Sequence, residues 1–118
     1  MAEPLSIPAL RAEAQTTYEA LPLLLDSGAV VGLRSMLMLA DEADYAAVEQ
    51  LLEEINAAGA SNRLTAAIGA MRRLLLTVSD DRTVLEPELA GWELGVLMNL
   101  IERWQNGTQV PEASSSAN

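Results

Sequence analysis

The chain contains no histidine, no cysteine, no lysine and no phenylalanine. Without the first three, one chain cannot assemble a serine–histidine triad, a thiolate nucleophile, a Schiff base or a zinc site of the usual donors. The lack of cysteine also removes any disulfide framework or thiol from which a redox compartment could be read. Positive charge is scarce too: 7 basic residues, all arginine, face 17 acidic ones, for a net charge of -10. That balance repels phosphate backbones and anionic membranes, so neither nucleic acid nor a membrane surface is expected as a direct partner. The start, Met1-Ala2-Glu3-Pro4, has neither the basic region nor the apolar run of a secretory signal, which predicts a cytoplasmic protein. The longest apolar stretch, residues 21–40, carries Asp26 and Arg34, both costly inside a bilayer, and is expected to be buried in protein.

Apolar residues make up 50% of the 118 before the 7 glycines are added. Ordinary soluble domains reach roughly 45–50% with glycine included. The excess points to burial between chains as well as within one. The length fits one domain. Alanine and leucine dominate, β-branched residues are scattered, and apolar positions recur at three and four. The pattern predicts an all-α fold, a small bundle of four to five helices assembled as a homodimer. The expected organisation is a disordered N-terminus over 1–7, a single helical domain over 8–106, and a disordered tail over 107–118.

A first helix is expected from Pro8 to Ala20, ended or kinked by Pro22. The segment 22–39 is read as one helix or two, with Asp26-Ser27-Gly28 either bending it or capping a new start. From Asp41 to Ala58 the positions Tyr45, Val48, Leu52 and Ile55 form an apolar stripe. Asp41 is placed to cap that helix, Glu42 and Asp44 sit where the helix dipole favours them, and Gly59 is placed to end it. Ser61 or Asn62 then caps a helix to Ser79, with a seam through Leu64, Ile68 or Ala67, Met71, Leu75 or Leu74, and Val78. This pair is expected to lie antiparallel, setting acidic residues of the first against Arg63, Arg72 and Arg73 of the second. After a loop, SDDRTVLEP, Pro87 opens a last helix to Gln105. Its apolar surface, from Leu89 and Trp92 to Leu100, Ile101 and Trp104, covers more than one face. Gly91 and Gly95 are four apart on one edge of it, where they would let another helix approach closely.

No catalytic constellation survives inspection. Asp41-Glu42-Ala43-Asp44 fails the calcium-loop template, because alanine occupies the third and sixth positions. Asp80-Asp81 reads as a solvated loop or a cap. Glu49, Glu53 and Glu54 read as the solvated side of an amphipathic helix rather than an acid–base pair. The chain is therefore expected to be no enzyme and to carry no cofactor and no metal. Arg34 is either a guanidinium snorkelling at the rim of the core or an interface arginine reaching a partner's carboxylate. Trp92 and Trp104 are either core or contact. Binding energy concentrates in a few aromatic, arginine and large apolar anchors, which nominates Leu33, Arg34, Leu37, Trp92 and Trp104 as partner-binding residues.

Three stretches, YEALPLLLDSGAVVGLRSMLMLADEADYAAVEQLLEEI, AAIGAMRRLLLTV and ELAGWELGVLMNLIERW, give the chain a character that resembles the QslA family of small pseudomonad quorum-sensing antiactivators. The resemblance spans Tyr18 to Trp104 and rests on length and helical character rather than a signature motif. It implies an α-helical homodimer that binds the ligand-binding domain of a LuxR-type transcription factor, LasR, and keeps that factor from forming the dimer that reads DNA. It carries over no individual contact residue. The alternative reading is a helical structural or adaptor dimer, or another interaction module with a different partner.

Overall fold

Asp41 begins the longest helix in the manner its sequence predicts: its Oδ1 accepts the Ala43 N–H at 2.8 Å, and Glu42 and Asp44 occupy the first turn. In this computed structural model, which describes residues 4–108, that helix is α2 (Glu42–Ala60), followed by α3 (Leu64–Val78). The turn between them differs from expectation. Gly59 stays inside α2, and the left-handed residue is Asn62, at φ 61°. Ser61 closes α2, its hydroxyl donating to the Ala57 carbonyl at 2.6 Å. Arg63 precedes α3 without a side-chain cap.

The α3 seam buries Ala67, Ala70, Met71, Leu74, Leu75 and Val78. Leu64, expected in that seam, is left exposed. Val48, Leu51 and Ala58 of α2 are buried, with Leu52 and Ile55 packed at the margin. Thr77 and Leu76 lie near Ala47 and Gln50, while Arg63 and Ala66 lie near Ala57 and Ala58, so the pair is antiparallel. Glu54 and Arg73 form an ion pair at 3.1 Å across it. Both side chains are largely exposed, so it contributes about 0–1 kcal/mol.

The all-α expectation fails over residues 21–33. Instead of a helix, the chain forms an antiparallel hairpin, β1 (Leu21–Leu24) with β2 (Val30–Leu33), pairing Leu21 with Leu33 and Leu24 with Val30. The Gly28 N–H donates to the Leu25 carbonyl at 2.9 Å and the Leu25 N–H to the Ala29 carbonyl at 2.8 Å. Gly28 has φ +94°. That is a three-residue hairpin loop with glycine at its left-handed position. Asp-Ser-Gly punctuates helices and hairpins alike, and the leucines around it hid the strand signal of Val30-Val31. Pro22, which lacks an N–H, occupies a strand paired on only one side, where a proline is tolerated.

The hairpin is joined to the end of α3. The Arg34 N–H donates to the Val78 carbonyl at 2.9 Å, the Asp80 N–H to the Gly32 carbonyl at 2.9 Å, and the Gly32 N–H to Asp80 Oδ1 at 3.0 Å. A side chain at position 32 would put its Cβ 2.8 Å from Asp80 Oδ2. A short 3-10 turn, Met36–Met38, leads on to α2.

The last helix is two helices. Asp81, not Pro87, provides the start: its Oδ1 accepts the Thr83 hydroxyl at 2.8 Å and the Val84 N–H at 3.4 Å, opening α4 (Arg82–Leu89). Pro87 lies inside α4, which ends two residues later. Turn bonds from Gly91 to Glu88 and from Trp92 to Leu89 carry the chain into α5 (Leu94–Thr108). One α5 face, Leu97, Leu100, Ile101 and Trp104, is buried, while Val96 and Met98 are exposed. The surface is thus narrower than the sequence suggested. Gly91 is outside any helix, and no atom lies within 4 Å of a Cβ placed on Gly95, so neither marks a close helix approach.

At the N-terminus, α1 (Ile7–Thr17) starts at a Ser6 cap, whose Oγ accepts the Ala9 N–H at 3.3 Å. It ends at Thr17, three residues short of the expected Ala20, and buries no residue. The fold is elongated, with extents of 59 × 35 × 33 Å. No helix among the described residues is long and apolar enough to cross a membrane. The expected disordered segments lie mostly outside the described residues: 1–3 and 109–118 are not covered, whereas Ile7 and Thr108 are helical.

Candidate partner-binding surface

The five nominated residues do not form one patch. Leu33 and Trp104 are wholly buried in the single chain, at 0% exposure. The Trp104 indole Nε1–H donates to the Arg34 carbonyl at 2.8 Å, tying α5 to the residue after β2. Arg34 is half-buried and turned inward. Its Nε donates to the Val78 carbonyl at 3.1 Å and its Nη2 to the Thr77 carbonyl at 3.0 Å. These are carbonyls of the last turn of α3, which have no partner further along the helix, and they sit at the negative end of its dipole. Arg34 therefore closes α3 from another element. Leu33, Arg34 and Trp104 meet at one interior junction.

Leu37 and Trp92 remain at the surface, in different places. Leu37 is 51% exposed on the 3-10 turn, held by its N–H donating to Ser35 Oγ at 3.2 Å. Beside that turn is a cavity of about 310 Å³ lined by Gln15, Tyr18, Arg34 and Met38. Trp92 is half-buried in the link before α5, where Arg72 Nη2 donates to its carbonyl at 3.1 Å. It lines a groove of about 420 Å³ between the hairpin and α5, together with Leu23, Leu24, Val96 and Leu100, rimmed by Asp26, Glu93 and Arg103.

That groove continues onto the outer face of the hairpin. Leu24 is 72% exposed and its cross-strand partner Val30 is 64% exposed. Val30, Leu24, Val96 and Trp92 thus form an apolar strip that passes from one element to the next. Contiguous exposed apolar surface, unlike a lone exposed leucine, marks a place where something binds. The sequence nominated only Trp92 of the four. Leu24, Val30 and Val96 were missed because the strip exists only once 21–33 is a hairpin, and the signal that could have found it was Val30-Val31 after Asp-Ser-Gly.

The hairpin tip that holds Leu24 is fixed by a carboxylate. Glu88 accepts the Asp26 N–H at 2.9 Å through Oε1 and the Ser27 N–H at 3.1 Å through Oε2. Partial desolvation works to raise its pKa, but the hydrogen bonds from the Ser27 side chain and from the Ser27 and Asp26 backbones outweigh it and hold the carboxyl below its ordinary value. Elsewhere, Asp41 and Asp81 serve as caps. Among the described residues no three histidine, cysteine, aspartate or glutamate side chains gather as a metal site would require. No protein-family model matches the chain, and no curated protein or solved structure matches it either.

Proposed function

We propose that this chain acts by binding another protein, and that it is an antiactivator of a LuxR-type transcription factor. The observation that supports binding is the apolar strip Val30–Leu24–Val96–Trp92, exposed on a chain of net charge -10. The partner class comes from the resemblance to the pseudomonad antiactivators. The strip, with Leu37 beyond it, engages the regulator's ligand-binding domain and occupies the surface through which that domain dimerises. An acidic protein does not compete for the operator itself, so inhibition passes through the regulator. A DNA-binding target places the complex in the cytoplasm, and the chain works as a homodimer that uses neither cofactor nor metal.

A gel-shift assay with purified regulator, its autoinducer and promoter DNA tests this reading. Adding the protein abolishes the shifted band without producing a slower one, and Trp92→Ala weakens that effect roughly 30-fold, the value of a 2 kcal/mol anchor. A supershifted ternary complex, or no effect at large excess, overturns it. The adaptor reading then takes its place.

A further inference from the structure

The helix α1 touches its own chain at its C-terminal end, where Ala14 is half-buried and Gln15 and Tyr18 line a cavity with Arg34 and Met38, and leaves its N-terminal apolar residues uncovered. Its eleven residues bury nothing, and Leu5, Ile7 and Leu10 are 80%, 60% and 41% exposed. A helix this short is marginal in water when nothing packs against it, since nucleation is unfavourable and few bonds repay it. Yet its start is well specified by the Ser6 cap. Ile7, Leu10, Ala14 and Thr17 recur at three and four, so the helix has one apolar face, and Arg11 and Glu13 flank that face on opposite sides.

We propose that α1 is an exchanged arm: in the homodimer, α1 of each copy lies along the apolar strip of the other, covering Leu24, Val96 and Trp92. Length and charge both support this occupant. An eleven-residue helix is about 16 Å long, and Glu93 to Arg103 along the α5 wall spans roughly 15 Å. The groove rim carries Asp26 on the hairpin side, and Glu93 and Arg103 toward opposite ends of the α5 side. With the apolar face of α1 pointing inward, Arg11 faces Asp26, and Glu13 faces the α5 side toward its Arg103 end, away from Glu93. Neither Asp26 nor Arg103 has an ion-pair partner among the described residues. The arm belongs to the second copy because Gln15 and Tyr18 hold the end of α1 beside Arg34 and Met38, at the base of its own hairpin. The groove opens at the tip. Two arms exchanged about a two-fold axis close the assembly, with no surface left to propagate.

This proposal rests on the reading of the strip as a partner-binding surface and adds its regulation: the arm and the regulator compete for the same residues. The regulator displaces one arm to bind, so the homodimer with both arms seated is the resting form.

The absence of cysteine makes the test clean, because every cross-link comes from introduced thiols. Full-length Leu10→Cys and Val96→Cys are mixed, oxidised and run on a non-reducing gel. The expected product is a mixed disulfide dimer, with no link when Leu10→Cys is mixed with Gln50→Cys, which lies on the exposed side of α2. In parallel, the double variant Ile7→Asp with Leu10→Asp drops from about twice 12.6 kDa to 12.6 kDa in light scattering. Its melting temperature, read in the monomer range, does not change. An intrachain link in a chain carrying both cysteines overturns the exchange in favour of an arm folded on its own groove. A link only between Leu10→Cys copies overturns it in favour of paired arms. A wild-type dimer without the mixed link overturns the arm while leaving the dimer intact, and a wild-type monomer overturns both. None of these outcomes touches the gel-shift result, which judges the antiactivator reading separately.

Discussion

The two tryptophans are twelve positions apart in the same C-terminal stretch and hold opposite roles. Trp104 is wholly buried, and its indole N–H is committed to the Arg34 carbonyl. Trp92 is half-buried: its backbone bonds to Arg72 and Leu89, and its ring packs against the edge of the core while lining an open groove. The same contrast divides the molecule. The α2, α3 and α5 body is held by side chains that leave water, whereas α1 and the outer face of the hairpin are held by caps and turn bonds and keep their apolar groups outside. Burial sustains the first region, and local hydrogen bonding only shapes the second. A surface held this way is available to a partner at little cost to the fold.

Replacing each tryptophan separates the two roles most sharply. Trp104→Ala removes a buried side chain and leaves the Arg34 carbonyl without its donor, so it destabilises by about 3–5 kcal/mol. That is a large part of the roughly 5–15 kcal/mol that holds a domain folded. Trp92→Ala costs about 1–2 kcal/mol, in keeping with its partial burial. Urea unfolding followed by circular dichroism distinguishes them. Equal losses for the two, measured in the monomeric Ile7→Asp, Leu10→Asp background, would mean that the groove is closed within the single chain and that the contrast is false.

Arg34 gives the next largest effect. Arg34→Met keeps the aliphatic stem but removes both side-chain bonds to the end of α3, for an expected loss of about 1–3 kcal/mol. Amide exchange should report faster opening in the last turn of α3, while the first turn is unaffected. An Arg34→Met variant as stable as wild type but defective in partner binding would restore the interface role that its sequence setting allowed.

The helical body was legible because burial acts on a period. Val48, Leu52 and Ile55 of the α2 stripe and Met71, Leu75 and Val78 of the α3 seam follow from spacing alone, whereas Tyr45 and Leu64, at the N-terminal ends of the same patterns, are exposed; Asp41 could be read as a cap before any contact was known. The hairpin was not legible for a physical reason. Leucine suits a helix or a buried strand, so the decision for 21–33 fell to contacts 44 to 62 residues away: Arg34 with Val78, Gly32 with Asp80, and Asp26 and Ser27 with Glu88. Tertiary pairing overrode local propensity there, whereas at Pro87 a nearer local signal decided, since the Asp81 cap starts α4 early and leaves the proline in its interior. The site suffered most, since three of the four strip residues depend on that hairpin or on which face of α5 is covered.

Gly28 tests whether the turn itself carries the strand choice. At φ +94°, alanine in its place is strained by about 1–2 kcal/mol, and asparagine, which tolerates the left-handed region, by less. No atom crowds the position, so the loss is conformational rather than steric. Chemical-shift mapping should confine the changes to the hairpin and the groove facing it, with the α2–α3 pair unmoved. A Gly28→Ala variant that melts as wild type would show that the turn is not left-handed in solution.

The smallest effect is the pH dependence at the hairpin tip, and its sign is fixed. Because the Glu88 carboxyl is held below its ordinary value of 4.5 when folded, its contribution is fully present above that value. It is lost as pH falls through the lowered folded-state value, where the proton removes the acceptor from the Asp26 and Ser27 N–H groups. The group is exposed, so the gain is screened and small. Comparing wild type with Glu88→Gln isolates it: the difference in melting temperature is largest at neutral pH and shrinks toward pH 3. Faster exchange of the Asp26 and Ser27 amides accompanies the loss. A difference that stays constant across that range would mean that Glu88 holds the tip by shape and not by charge, and that the exposed region owes nothing to electrostatics.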